Sequence, residues 1–403
     1  MNILSCSKNQ NSNTKYFSSI KEVPNEVWEE LGCTDNIYFT PKYLEALEQN
    51  NKTIHFAYII LFDINNKAIA LANIQIVDFY LDSVQNDMQS IVEWVKCMGR
   101  KLRIISPEKP FKVLTCGNTF VSGEHGVFIK NNQNKKEVLK QIAKAVVNYS
   151  NISAKNTADA FMLKDFEKES LYITHELHEE GYNSFKVDPN MVLELDNDWS
   201  SIEDYLAALK TKFRVKAKRA LKLSSLLKVE DVTEDRLKDL KPEMTVLYKT
   251  VSTKSSFNLG DFNIETYRTL KENLGDNYFL KAYWLEDKLV GFLSGIFNKK
   301  SLDAHFVGID YGYNKEYAVY QRMLYDYISL GIDKKVKTIN FGRTASEIKS
   351  SVGAKPQDLT IYLRHKNTIP NRILSLFLKR IQPSEFKQKH PFKKRELREQ
   401  VNL

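Results

Sequence analysis

The stretch YFLKAYWLEDKLVGFLSGIFNKKSLDAHFVGID, residues 278–310, decides how this chain folds. It divides into three short apolar runs, 278–285, 289–297 and 301–310, which the polar segments EDK and NKK separate. Apolar runs of this length, bounded by Asp, Asn and Lys, are typical of β-strands joined by turns. The sequence therefore predicts a meander of three strands here.

A helix and two further strands follow the meander. From residue 314 aromatic and aliphatic residues recur at helical spacing, and Gly331 marks the end of the helix. VKTINF (336–341) and DLTIYLRH (358–365) are then predicted as strands, joined by the polar segment GRTASEIKSSVGAKP (342–356). A helix between the meander and a further strand indicates a parallel crossover, and hence an α/β unit.

This order of elements resembles the acyltransferase core of the GNAT superfamily, and its second part resembles the Fem-type branch. In the shared pattern, a strand that carries a His and a Gly-x-Asp leads into a helix. The next strand ends in Phe-Gly-Arg, and a Lys and a Gly-Ala follow it. The matching residues here are His305, Gly308, Asp310, Phe341, Gly342, Arg343, Lys349, Gly353 and Ala354. The resemblance covers the second half closely and the first half loosely. It implies a mixed α/β (α+β) fold of two tandem GNAT-like units, each a mixed central sheet flanked by helices.

A weak internal repeat agrees with two tandem units. A helix with Phe39, Tyr43 and Leu47, followed by strand, turn and strand, parallels a later helix with Phe262, Tyr267 and Leu270 and the meander after it. We predict a flexible N-terminus over residues 1–20, a first unit over 21–198 and a second over 199–366. A basic amphipathic C-terminal tail follows over 367–403.

Composition and charge narrow the functional classes. A 42% hydrophobic share is enough for two cores. The net charge of +9 is concentrated in residues 205–228 and 364–403, each with +8, which favours an anionic partner at particular surfaces. Four separated cysteines without a Cys-x-x-Cys predict reduced thiols and no metal site. With no signal peptide and no membrane-spanning run, we expect a cytoplasmic protein, or one peripheral to the inner membrane.

Candidate catalytic residues follow from the chemistry of amine acylation, which needs a base because an alkyl ammonium is not a nucleophile at neutral pH. His305 on the third meander strand is one candidate, with a hydrogen-bonded structural histidine as the alternative. Glu347 is another, although Thr344-Ala-Ser-Glu347 also fits a capping box. Glu124 and His125, between the glycines of SGEHG (122–126), suit proton transfer or substrate binding, and a bare turn is their alternative.

Candidate binding residues are mostly polar side chains close to these segments. Arg343 and Lys349 are cations that follow the apolar strand 336–341, which suits the binding of a carboxylate or phosphate, with a solvated surface role as the alternative. The other candidates are Asp310, Tyr311 and Tyr320 at the helix entry, Asn118 at a strand end and Lys216 in the basic segment.

The donor and acceptor remain open between three hypotheses. The first is an N-acyltransferase that transfers an acyl group to a primary amine of an amino acid or a lipid-like base. Its donor is an acyl thioester, either acyl-CoA or an acyl-carrier protein. The helix entry has only Gly312, unlike the Gly-rich turn that GNAT enzymes use for coenzyme A. The second is a Fem-type transferase that uses aminoacyl-tRNA on a peptidoglycan precursor. Residues 205–260 lack a sustained heptad pattern, which favours the first. The third is a binding module without catalysis.

The tail admits two predictions. PNRILSLFLKRI (370–381) is an amphipathic segment with cations beside its apolar residues, and a basic end follows it. Such a helix binds peripherally to an anionic membrane, or docks on its own domain and leaves the basic end in solvent.

Overall fold

The computed structural model describes residues 13–79, 110–253 and 260–393. Its strands are β1 (Asn13–Phe17), β2 (His55–Phe62), β3 (Ala68–Phe79), β4 (Phe111–Cys116), β5 (Val127–Ile129), β6 (Ala160–Glu167), β7 (Asn183–Glu194), β8 (Lys228–Asp231), β9 (Tyr278–Leu285), β10 (Lys288–Asn298), β11 (Ser301–Ile309), β12 (Thr338–Asn340) and β13 (Lys355–His365).

The helices are α1 (Asn25–Leu31), α2 (Pro41–Asn50), α3 (Lys135–Ile152), α4 (Leu171–Thr174), α5 (Glu176–Glu179), α6 (Ile202–Ala208), α7 (Thr211–Leu223), α8 (Glu234–Ser252), α9 (Thr266–Leu274), α10 (Tyr311–Tyr317), α11 (Val319–Asp333), α12 (Ser346–Ser351) and α13 (Thr368–Leu378). None of the helices in the described ranges has the length and apolar character that crossing a membrane requires.

One mixed sheet organises both halves of the chain. Its strand order is β1-β2-β3-β4-β6-β13-β7-β12-β11-β10-β9-β8, and β5 pairs with β3. Two pairs, β4 with β6 and β11 with β12, are parallel, and the other pairs are antiparallel. The fold is thus the mixed α/β class that the sequence predicts. β13, late in the chain, lies between β6 and β7, so strands from the two predicted units alternate at the centre.

Alternation along the strands builds a core on each face of the sheet. In β2, Phe56, Tyr58 and Ile60 join the cluster that α1, α2, α8 and α9 cover. Ala57, Ile59 and Leu61 face the opposite side, where they pack with α3. The second half buries its opposite face under α6, α7 and α11. This period of two, in strands apolar on both faces, is what a sheet covered by helices on both sides requires.

The repeated helices of the two halves pack together. Asn50 on α2 donates to Thr269 Oγ1 on α9 at 2.9 Å, and Asn51, just after α2, donates to Thr266 Oγ1 at 3.1 Å. Both Tyr43 and Tyr267, which belong to the repeat found in the sequence, are fully buried. Their shared interface joins the helical layer of one half to that of the other.

Described segments near both ends of the chain take part in the fold. Residues 13–17, within the segment predicted to be flexible, form β1 and pair with β2, while residues 1–12 lie outside the described ranges. Near the other end, Lys210 N donates to Pro391 O at 2.8 Å, and Phe392 packs on Trp199 and Tyr205. The described part of the basic end therefore docks on its own chain. The division near residue 198 stays a prediction.

Candidate functional site

A cavity of about 510 Å³ opens where β11 and β12 diverge. The two strands pair in parallel only from Ser301 opposite Thr338 to Asp303 opposite Asn340. β11 then continues to Ile309, whereas β12 ends, and the cavity takes the place of the missing pairing. Its walls come from β11, the segment 341–345, α8 and the loop 119–122 of the first half. Residues from both halves thus enclose one site.

A β-bulge shapes the β11 wall of this cavity. Gly295 pairs with Ala304 and Leu293 with Val307, so His305 and Phe306 both lie opposite Ser294. A bulge interrupts the hydrogen-bond ladder and changes the direction of the side chains around it, and bulges are frequent beside active sites. Here it places the imidazole of His305 in the cavity wall.

Ser294 and an aromatic cage hold His305 in place. The ring centroid of His305 lies 4.5 Å from that of Phe306 and 5.0 Å from that of Phe262. Ser294 Oγ donates to Phe306 O at 3.0 Å and lies 3.3 Å from His305 Nδ1. Because a hydroxyl has one proton, we infer that Nδ1 carries hydrogen and donates to Ser294, which leaves Nε2 as an acceptor. Burial lowers the pKa of His305 to about 3, so the ring is neutral at pH 7.

Arg343 enters the same cavity wall and forms an ion pair with Asp165 of the first half. Asp165 is fully buried, pairs also with Lys164 and accepts the Gly123 N–H at 3.2 Å. Burial raises the pKa of this carboxyl, but Lys164 and Arg343 outweigh it and hold the pKa below its usual value. Arg343 Nε is buried without a hydrogen-bond partner in the described structure, so one N–H group of the guanidinium is unpaired.

The helix entry contributes three of the predicted binding residues. Tyr311 and Tyr320 line the cavity, and burial raises the pKa of both phenols. Asp310 instead caps α10: its Oδ1 accepts the Gly312 N–H at 2.9 Å, and its Oδ2 lies 3.0 Å from Lys288 Nζ. A carboxylate therefore already uses an N–H group that a bound anion at this turn would need.

Besides Asp310, three predicted residues of the second half are not among those that line the cavity. Glu347 forms a 2.7 Å ion pair with Lys389. The capping-box interpretation of Glu347 is wrong, because α12 starts at Ser346 and its cap, Ala345, has no side-chain oxygen to offer. Lys349 is buried and donates to Gly342 O at 3.2 Å, and burial lowers its pKa to about 7. Lys216 is exposed on α7.

The candidates of the first half are not among the residues that line this cavity. Glu124 lines a second cavity of about 270 Å³, where it accepts from Glu167 N at 2.6 Å and Ser170 Oγ at 2.8 Å. Burial raises the pKa of Glu124. The ring centroid of His125 lies 4.0 Å from that of Tyr38, and burial lowers the pKa of His125 to about 3. Asn118 donates to Tyr43 Oη at 2.7 Å. These contacts tie the 118–126 loop to its surroundings.

Some residues of the site carry little or no signal in the sequence. Ser294 gave a weak signal, as a small hydroxyl residue close to Gly291 and Gly295 on the strand facing His305. Phe120, Ser122 and Tyr248 line the cavity from distant parts of the chain, and no local pattern marks them. Only the three-dimensional arrangement brings these segments together.

Comparisons with known proteins bear on the fold. No protein-family model and no curated protein matches this chain. The crystal structure of FemX matches 83% of this chain and 93% of its own, at 12% identity and a TM-score of 0.50. A tandem GNAT protein from the clavulanic acid biosynthesis pathway, solved without AcCoA, matches 88% of this chain and 99% of its own, at 8% identity and the same TM-score. The chain therefore has a tandem GNAT-like fold of the Fem type.

Proposed function

We propose that this protein transfers an acyl group from an activated carrier to a primary amine in the cavity beside β11. The observation that carries the proposal is the β-bulge, which sets His305 in the wall of a space that diverging parallel strands hold open. Phe306, Val307, Ile309 and Phe341 give this wall an apolar character that suits an acyl chain. Arg343 adds a cation at the same wall.

The reaction balances without a metal or redox partner. The amine nitrogen, once neutral, bonds to the acyl carbon of a thioester, and the C–S bond then breaks. Nε2 of His305 takes the proton that the nitrogen loses, and that proton passes to the departing thiolate. A base with a pKa of about 3 holds the proton only briefly. The amine must therefore arrive neutral, or lose its first proton to solvent.

The preferred donor is an acyl thioester, on acyl-CoA or an acyl-carrier protein. Between these two, Asp310 favours the carrier protein. The carboxylate of Asp310 lies at the α10 entry, where it repels the diphosphate of coenzyme A and competes for the Gly312 N–H. A carrier protein presents a single phosphate on its prosthetic arm and so meets less repulsion. The acceptor would be an amino acid or a lipid-like amine, whose carboxylate or phosphate Arg343 could bind.

The second candidate donor is an aminoacyl-tRNA, with a peptidoglycan precursor as acceptor. The specific observation in its favour is the surface of α7, which exposes Lys212, Lys216, Lys218, Arg219 and Lys222. Such a row of cations suits contacts with a phosphate backbone, which are strong and salt-dependent. Against it, α6, α7 and α8 are separate helices of 7, 13 and 19 residues and form no long helical hairpin.

The test offers purified protein a panel of acyl-CoA, acyl-carrier protein and aminoacyl-tRNA donors with a set of amines. We expect turnover with one donor class and a loss of about 100-fold or more in turnover number for His305→Ala, the usual size of a proton-transfer contribution. The exposed His175 supplies the control, and His175→Ala should keep full activity. Donor binding without turnover would favour a binding module. An unchanged turnover number in a folded His305→Ala variant would remove His305 from the mechanism.

A further inference from the structure

The helix α13 carries an apolar face that the described structure leaves uncovered. Ile369 is 71% exposed and Leu376 is 61% exposed, and Ile373 between them is half-buried. At 100° per residue these three positions fall on one narrow stripe of the helix. Leu378, on the opposite side, is the one buried residue of this helix. The stripe is thus made of apolar residues on the side of α13 away from the buried Leu378.

Polar contacts fix this orientation. Asn371 lies on the inward side, where its Oδ1 accepts the His365 N–H at 2.8 Å and its Nδ2 donates to Gly181 O at 2.8 Å. Both partners belong to the backbone of the folded body, at the end of β13 and just before β7. The amide therefore anchors one side of α13 and turns Ile369, Ile373 and Leu376 outward.

Cations border the exposed stripe. Arg372, Lys379 and Arg380 are exposed, and no carboxylate within the described ranges pairs with any of the three. Residues 366–384 contain no Asp or Glu. Arg372 and Lys379, seven residues apart, lie along the same flank of the stripe. Two cations further on are already engaged, since Lys389 pairs with Glu347 and Lys393 Nζ donates to Ala207 O at 2.8 Å.

We infer that α13 is an interfacial helix that binds this protein peripherally to an anionic bilayer. An apolar stripe beside unpaired cations is the arrangement that such helices use: the apolar residues enter the acyl boundary and the cations meet the headgroups. The cations would repel the same face of a second copy of the chain, which disfavours self-association through α13. The inference does not depend on the proposed enzymatic reaction.

The experiment measures binding of the full chain to vesicles of phosphatidylcholine with and without phosphatidylglycerol. We expect binding only to the anionic vesicles, falling as salt is added. The variant Arg372→Gln/Lys379→Gln/Arg380→Gln should lose about 100-fold in affinity, because each cation near such a surface contributes roughly fivefold. Its control, Lys212→Gln/Lys218→Gln/Lys222→Gln, removes the same charge from α7 and should bind as the parent does. Loss of binding in the α7 variant alone would overturn the inference.

The apolar stripe is tested separately. Leu376→Asp should weaken binding at least tenfold, whereas Leu226→Asp, at a site 70% exposed elsewhere, should not. In Leu376→Trp, brominated lipids should quench the new tryptophan, and in Leu226→Trp they should not. Since Leu376 and Leu226 are both exposed, the fold should survive each of the four changes. Equal vesicle binding by Leu376→Asp and the parent would contradict the inference. So would a parent that is a dimer, if Leu376→Asp makes it a monomer and leaves vesicle binding unchanged.

Discussion

At the residue scale, the site depends on which nitrogen of His305 carries hydrogen. The sequence shows a histidine on an apolar strand, but it does not show the partner that orients the ring. Ser294 provides that partner through Oγ, 3.3 Å from Nδ1, while its own proton goes to Phe306 O. The buried hydroxyl, which is completely shielded from solvent, thus acts through His305 as a positioning residue.

The change Ser294→Ala should release this constraint without removing the base. We expect the Nδ1–H tautomer of His305 to lose its preference, because its hydrogen-bond acceptor is gone. Nitrogen-15 NMR of labelled histidine would measure the tautomer, and the turnover number should fall with little change in KM. Ser225→Ala, which removes an exposed hydroxyl, is the control. An unaltered Nδ1–H signal in Ser294→Ala would assign the orientation of the ring to its aromatic neighbours instead.

Two histidines with lowered pKa values should make stability depend on pH. Burial lowers the pKa of His305 and of His125 to about 3 in the folded protein, against about 6.5 in an unfolded chain. The unfolded chain therefore binds more protons between these values, and the free energy of unfolding falls as pH decreases from 6.5. The limiting slope is about 1.4 kcal/mol per pH unit for each histidine. Asp303 opposes this trend, since burial raises its pKa to about 6.

A comparison of variants separates these contributions. Urea unfolding of the parent and of His305→Gln between pH 7 and pH 4 should show the smaller decrease in the variant, which lacks one titrating group. The exposed His175 again gives the control, because His175→Gln should follow the parent. Parallel curves for the parent and His305→Gln would mean that His305 is protonated normally in the folded state.

At the element scale, the sequence was informative wherever a local pattern determined the structure. The runs 278–285, 289–297 and 301–310 became β9, β10 and β11 with shifts of about one residue at their ends. The bulge at His305 and Phe306 could not be predicted, because it arises from the register between two strands and leaves no periodic signal. The capping box at Glu347 failed because Ala345 adopts a left-handed conformation and starts α12 one residue late.

The entry to α10 allows a test of the donor. Asp310→Asn removes a negative charge and keeps an oxygen that accepts the Gly312 N–H. We expect the Kd for acyl-CoA to fall several-fold, since a charge near a helix N-terminus contributes about 0.3–1 kcal/mol. Binding of acyl-carrier protein should change less. Calorimetry with both donors would measure the difference, and Asp287→Asn, on the turn before β10, serves as the charge control. If the Kd fell equally for both donors, the charge of Asp310 would not act through the diphosphate of coenzyme A.

At the scale of the whole molecule, the sequence indicated two similar units but not how their strands interleave. β13 pairs with β6 over residues 359–365 and with β7 over residues 355–363. It therefore joins two strands of the first half, although it belongs to the second half by sequence. Arg343 and Asp165 make a further buried link between the halves. Such long-range pairings are set by tertiary packing, which a repeat in the sequence does not encode.

This interleaving predicts how the chain behaves when it is divided at residue 198. A fragment 13–198 would contain β6 and β7 without the strand that lies between them, and a fragment 199–393 would contain β13 without either partner. Each fragment would expose unpaired backbone groups and the apolar faces of α2 or α9. We therefore expect neither fragment alone to unfold cooperatively, because the strand pairs at the centre of the sheet take one strand from each fragment.

Co-expression of the two fragments should restore the fold, since every strand pair would again be available. Circular dichroism melting of each fragment, of the pair and of the intact chain would measure this, and co-purification would report their association. The control divides the chain at Ile64 instead, on the turn between β2 and β3, where the residue is 85% exposed and the strands on either side are direct neighbours. A cooperative transition in 13–198 alone, close to that of the intact chain, would mean that β6 and β7 can close on each other and that β13 only fills a gap in a self-sufficient unit.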